Sequence, residues 1–105
     1  MKISVLMPVY NERETIQEII RQVQAVELEK EIICVDDFST DGTREVLQEI
    51  TASASNVKLL CHSKNLGKGA AVKTGLEQVN GEVVIIQDAD LEYDPQDYPH
   101  LLRPI

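Results

Sequence analysis

Val83-Val84-Ile85-Ile86-Gln87-Asp88-Ala89-Asp90 is the stretch on which the reading of this chain turns. Its first four residues form an unbroken β-branched run, the pattern of a strand buried on both faces in a parallel α/β sheet. Two carboxylates spaced by one small residue then fall at the strand's carboxyl end, where open α/β sheets place their ligands. Hard divalent cations take oxygen donors, and Mg²⁺ commonly combines one or two carboxylates with substrate phosphates. The segment therefore points to a metal–diphosphate site. A bare Asp-x-Asp is common and could be no more than a solvated strand end. The apolar strand before it and the further acid Glu92 give it weight.

Working back toward the amino terminus, strand-like and helix-like segments alternate without linkers or repeats. Ile3–Met7 reads as a first strand, stopped by Pro8. Ile16, Ile19, Ile20, Val23 and Val26 make an i, i+3, i+4, i+7 stripe, which predicts a helix over Thr15–Val26. Asn11 is its expected cap, with Glu14 completing a capping-box-like pair. Glu31–Asp36 is a second buried strand, and Thr43 to about Ala52 a second helix capped near Thr40 or Asp41. Asn56–Cys61 is a third strand, and Lys68–Val79 a third helix ended by Asn80-Gly81. Glu82–Gln87 is the fourth strand, and Pro95–Leu102 the start of another helix. Right-handed crossovers turn this βαβαβαβ order into a parallel sheet with helices on both faces. No later strand covers the sheet edge, so a truncated piece of a longer protein is expected, with an edge that invites pairing into a homo-oligomer.

Residues 1–105 are expected to form one domain, with 43% apolar residues and a largely aliphatic core. The net charge of −8, from 18 acidic and 10 basic residues, argues against nucleic acid as a partner. Cys34 and Cys61 lie in separate apolar runs without metal-ligand spacing, which suits buried free thiols in a reducing, cytoplasmic compartment. No segment approaches the roughly 18–20 apolar residues of a membrane span, and no leader pattern is present, so these residues should be soluble.

Three other loops carry candidate chemistry. In Pro8-Val9-Tyr10-Asn11-Glu12, strand-stop and cap roles explain Pro8 and Asn11 but not Tyr10 and Glu12. A tyrosine can line a flat base pocket, and an exposed carboxylate can accept from ribose hydroxyls. Asp36 and Asp37 are adjacent acids at a strand end, a repulsive arrangement unless something binds or solvates them. One of them is expected to accept from a base N–H or a ribose, whereas Asp41, Gly42 and Thr43 read as turn and cap residues. The run Lys64-Asn65-Leu66-Gly67-Lys68-Gly69-Ala70-Ala71 resembles a phosphate loop but misses both familiar patterns. It has His62 where the first Walker glycine would be, and Val72 where the dinucleotide fingerprint wants its third glycine. Its helix amino terminus could still attract an anion, with Lys68 assisting; the plainer reading is a turn that lets a helix pack tightly. His62 and His100 show no partner pattern and read as structural, while Tyr93, Tyr98 and Leu101 read as packing residues.

Taken in order, Pro8-Val9-Tyr10-Asn11-Glu12, Val35-Asp36-Asp37-Phe38-Ser39-Thr40-Asp41-Gly42-Thr43, Asn65-Leu66-Gly67-Lys68-Gly69-Ala70 and Asp88-Ala89-Asp90 resemble the amino-terminal half of an inverting family-two glycosyltransferase. The likeness spans essentially the whole chain. It looks closest to the branch acting on dolichyl or polyprenyl phosphate, through Gly67-Lys68-Gly69-Ala70 and Asp88-Ala89-Asp90-Leu91-Glu92. Phe38 departs from the Gly or Asn more usual at its place, and Glu92 from a frequent Gln.

The resemblance implies a Rossmann-like parallel sheet, the nucleotide-binding half of a GT-A fold. It implies a nucleoside-diphosphate sugar, UDP- or GDP-linked, held by Pro8, Tyr10, Glu12, Asp36, Asp37, Lys68, Asp88 and Ala89. Mg²⁺ or Mn²⁺ would sit on Asp88 and Asp90, with Glu92 nearby, and a lipid-phosphate acceptor would bring the parent protein to a membrane. The base and acceptor site of such enzymes usually lie beyond this segment. Three other readings stay open at this level: a phospho-receiver switch using Asp36, Asp37 and Asp88; a dinucleotide-dependent oxidoreductase piece; and a nucleotide-binding module without turnover.

Overall fold

The structure, a computed structural model, describes residues 2–89. Its elements are β1 (Ile3–Val9), α1 (Ile16–Ala25), β2 (Lys30–Asp36), α2 (Thr43–Ser53), β3 (Val57–Cys61), α3 (Lys68–Leu76) and β4 (Val83–Ile86). The four strands are parallel and ordered β3-β2-β1-β4. The predicted helix over Pro95–Leu102 lies outside the described residues.

Strand alternation divides the core in two. Ile3, Val5, Met7 and Val9 of β1, with Ile32 and Cys34 of β2, meet the stripe Ile16, Ile19, Ile20 and Val23 of α1 and Leu47 of α2. Ile33 and Val35 point to the opposite face, where Ala71 of α3 covers them. Close approach on that face is made at Gly75. A Cβ there would stand 2.7 Å from Leu6 Cδ1, so only glycine lets α3 settle on β1. Gly67 and Gly69, the glycines that drew notice in the sequence, meet nothing within 4 Å of such a Cβ.

The strands are legible from their apolar runs, but several boundaries move. β1 does not stop at Pro8: it runs through it, in register with Val35. The pairing of β1 with β4 ends at Leu6, whose carbonyl accepts from Gln87 N. Pro8 lies two residues on, facing that same side, so the proline removes a donor the sheet does not use. β4 is not buried on both faces. Val84 is 36% and Ile86 49% exposed, while Val83 and Ile85 pack on the α1 side. β3 and β4 are the two edge strands among the described residues, and α3 covers β1 and β2. Cys61, expected to be buried, is exposed at the end of β3, while Cys34 in the inner strand β2 is buried. The third helix ends at Leu76, and Gly81 does not adopt a left-handed conformation. Gly81 serves close approach instead: a Cβ on it would lie 2.6 Å from Ser4 N.

At this amino-terminal end of the sheet, Glu31 is buried and knits three segments. Ser4 Oγ donates to its Oε2 at 2.5 Å, Asn80 N donates to the same oxygen at 2.6 Å, and Lys58 Nζ stands 3.3 Å from Oε1. Gly81 N in turn donates to Ser4 Oγ at 2.7 Å. Burial alone would raise the Glu31 pKa, but the hydrogen bonds from Ser4 and Asn80, with Lys58, outweigh it and hold it at about 2.

Candidate functional site

The strand order sets where a ligand can go. The chain steps from β1 to β2 to β3 through α1 and α2 on one face, then returns through α3 on the other face to place β4 beside β1. The crevice at such a switch point, outside the carboxyl ends, is the usual ligand position in open α/β sheets. Here it holds an open cavity of about 530 Å³ lined by Pro8, Val9, Tyr10, Glu12, Asp37, Asn65, Gly67, Lys68, Ala71, Asp88 and Ala89.

The loops that follow β1 and β2 are tied together. Asn11, expected to cap α1, instead bridges the loops: its N–H donates to Ser39 Oγ at 2.9 Å, and its Oδ1 accepts from Thr40 N at 2.8 Å. It adopts φ 51°, and Phe38 across from it adopts φ 66°; they are the only non-glycine residues with positive φ among those described. The helix begins after Thr15, whose hydroxyl donates to the Ala89 carbonyl at 2.6 Å. That bond fastens the start of α1 to the loop carrying Asp88. Glu14 stays exposed and takes no part in a capping box.

Asp36 and Asp37 avoid each other's charge by taking separate partners. Asp36 is fully buried, and its Oδ2 accepts from Ser39 N at 3.1 Å and Arg44 Nε at 3.0 Å. Its Oδ1 has no hydrogen-bond partner, and it does not line the cavity. Asp37 does line it and shapes the glycine loop. Leu66 N donates to its Oδ1 and Gly67 N to its Oδ2, both at 2.8 Å. Burial pushes the Asp37 carboxyl up, but bonds from His62, Leu66 and Gly67 bring it below the ordinary carboxylate value. Oδ1 also meets His62 Nδ1, whereas Oδ2 has Gly67 N alone, so Oδ2 keeps an acceptor direction for a ligand while Asp37 holds the loop.

His62 is structural, as the sequence suggests, yet richly partnered. Its Nδ1 lies 2.8 Å from Asp37 Oδ1 and its Nε2 2.8 Å from Thr74 Oγ. A carboxylate only accepts, so Nδ1 carries the proton and Nε2 accepts from the threonine. The chain Thr74–His62–Asp37–Gly67 thereby locks α3 and its leading loop to the end of β2. Sequence reasoning had no access to Thr15, Arg44, His62 and Thr74 as site-building residues, because each acts through a partner at least 8 positions away.

On the opposite side of the crevice, Lys68 Nζ lies 2.5 Å from Asp88 Oδ1. Asp88 thus offers the cavity wall a carboxylate, the hard oxygen donor that a divalent ion takes. Asp88 is the one predicted metal ligand among the described residues; Asp90 and Glu92 lie outside them. Among the described residues no group of three or more His, Cys, Asp or Glu gathers as a metal cage. One cavity therefore brings together Pro8, Tyr10, Glu12, Asp37, Lys68, Asp88 and Ala89, and leaves Asp36 behind its wall.

Comparison with known proteins places this arrangement. The family described as Glycosyl transferase family 2 matches residues 4–105. The chain is 40% identical to the undecaprenyl-phosphate 4-deoxy-4-formamido-L-arabinose transferase of Pseudomonas fluorescens, with 96% of this chain and 31% of that protein covered. It is 39% identical to the dolichol-phosphate mannosyltransferase of Pyrococcus furiosus, covering 100% of this chain and 30% of that protein. Among solved structures, the mannosyltransferase PcManGT from Pyrobaculum calidifontis, in complex with GDP-Man and Mn²⁺, superposes with a TM-score of 0.84 at 28% identity, over 97% of this chain and 32% of that one. S. aureus TarS in complex with UDP gives 0.83 at 28% identity, over 96% and 31%. The chain thus spans about a third of the length of the relatives it matches.

Proposed function

We propose that this chain, which belongs to glycosyl transferase family 2, is the nucleotide-sugar-binding portion of a metal-dependent glycosyltransferase that passes a sugar from UDP or GDP to a polyprenyl or dolichyl phosphate with inversion. The carrying observation is the crevice itself. It brings Asp88 and Lys68 into one cavity with Tyr10, Glu12 and Asp37, on loops fixed by hydrogen bonds. Relatives named for lipid-phosphate acceptors support the acceptor class, and the neighbours bound to UDP and to GDP-Man with Mn²⁺ support the donor class and the ion.

In this reading Tyr10 offers a flat face to the base, Asp37 accepts from a base N–H, and Glu12 accepts from the ribose. Asp88 holds Mg²⁺ or Mn²⁺, joined by Asp90 and Glu92 as the family resemblance implies. A divalent ion bound there neutralises the charge that develops on the diphosphate as the glycosidic bond breaks. Lys68 then turns from Asp88 to the phosphate oxygens, and the amino end of α3 faces the same charge. A lipid phosphate is already anionic and needs little general-base help. A thermal-shift screen of UDP, GDP and their sugar conjugates tests the proposal. One nucleotide series should raise Tm only with Mn²⁺ and lose the shift in Asp88→Ala. A metal-independent shift that survives in the variant contradicts it.

A further inference from the structure

Phe38 is the residue whose placement the fold does not explain. It occupies φ 66°, a left-handed conformation that bulky side chains avoid and that glycine or asparagine adopts freely. A strained backbone is usually repaid by burial of the side chain, yet Phe38 is 43% exposed. Nor is the loop slack enough to let it relax. Ser39 N donates to Asp36 Oδ2 at 3.1 Å, Asn11 N to Ser39 Oγ at 2.9 Å, and Thr40 N to Asn11 Oδ1 at 2.8 Å. The hydrogen bonds on both sides hold an exposed aromatic ring in a costly conformation, the kind of strain that collects at binding sites.

Its neighbours indicate the ligand part it would meet. Phe38 directly follows Asp37, a cavity wall residue, and Tyr10 leaves the adjoining strand β1 at 46% exposure. Leu66, whose N–H donates to Asp37 Oδ1, is also exposed. Tyr10 lines the cavity with Asp37, and the exposed Phe38 and Leu66 stand next to Asp37 outside that lining, by sequence and by hydrogen bond. Asp88 follows β4, two strand spacings or roughly 10 Å from β2, and Lys68 reaches it from the glycine loop. A nucleoside diphosphate that puts its phosphates at Asp88 brings its base toward Asp37 and these neighbours.

We infer that Phe38 is a specificity-determining residue that packs against the nucleobase beside Tyr10, and that its strained conformation is maintained for this contact. The inference rests on the proposed nucleotide-sugar reading and adds a residue to it. Calorimetric titrations of UDP–Mn²⁺, GDP–Mn²⁺ and pyrophosphate–Mn²⁺ into the full chain test it, in wild type, Phe38→Asn and Phe38→Tyr. Asparagine accepts the left-handed backbone, so its Tm should be no lower than that of wild type. Its affinity for the preferred nucleotide should fall about tenfold, the lower end of a base–aromatic contact, with pyrophosphate unaffected and the tyrosine variant close to wild type. Equal nucleotide affinity in Phe38→Asn, an equal loss for pyrophosphate, or a lowered Tm overturns the inference. Wild type binding neither nucleotide removes the parent reading instead, and this residue's role with it.

Discussion

The two ends of one sheet are built on opposite principles. At the amino-terminal end, Glu31 is enclosed by Ser4, Asn80 and Lys58, and Gly81 closes on Ser4. At the carboxyl end, the loops keep Asp37 and Asp88 on a cavity wall, two non-glycine residues at positive φ, and exposed Tyr10 and Phe38. The same parallel strands run between them, so strand chemistry does not explain the contrast. One end spends its polar groups on holding β4 and the α3–β4 turn in place. The other leaves acceptors and aromatic faces open to a ligand, and holds them there by hydrogen bonds between loops.

This contrast can be broken by mutation. Glu31→Ala strips the Ser4 hydroxyl and the Asn80 N–H of their buried acceptor, and should cost about 3 kcal/mol in chemical denaturation. Its nucleotide affinity, measured where the variant is folded, should stay near wild type. A loss of affinity without a loss of stability would show that the two ends are not separate in role.

His62→Ala should cost less, about 2 kcal/mol, because Asp37 keeps its two backbone donors and Thr74 lies near the surface. It should also weaken nucleotide binding, since the glycine loop loses its tie to α3 through Thr74. Unchanged binding would confine His62 to packing.

Acid gives the most graded effect. Glu31, with its folded pKa near 2 against an ordinary 4.5, contributes stability that is complete above about 4.5 and lost as pH falls toward 2. Asp37 is shifted in the same direction and adds to the same slope. Thermal melts from pH 6 to about 2.5 should show Tm falling through this window, and falling less steeply in Glu31→Gln. A flat profile would mean that neither carboxylate gains from its native partners.

Much of the fold is legible in the sequence because the apolar periods are local signals. The stripe on α1 and the runs of β1 to β4 depend on residues within one element. What the sequence hides is set by distant neighbours. Whether Pro8 ends a strand depends on where β4 stops pairing, and whether Val84 and Ile86 are covered depends on which strands α3 lies over. Asn11 has the composition of a cap, but its partners are Ser39 and Thr40, 28 and 29 residues on. The helix-packing glycine is Gly75, not the conspicuous Gly67 and Gly69, because the steric demand comes from Leu6. The site follows the same division. Tyr10, Glu12, Asp37, Lys68 and Asp88 stand out as chemistry at strand ends, and the structure adds that they share one cavity. That Asp36 stands behind its wall, bound to Arg44, could be seen only in three dimensions.

The central claim is that side chains from separate crossover loops hold a metal-bridged diphosphate at the carboxyl rim. Anomalous scattering from crystals of the full chain grown with UDP or GDP and Mn²⁺ tests it most directly. The account predicts a manganese peak bonded to Asp88 and to the diphosphate, with Lys68 turned to the phosphates and the base lying against Tyr10. A peak away from Asp88, or a nucleotide bound outside the crevice between β1 and β4, would contradict it.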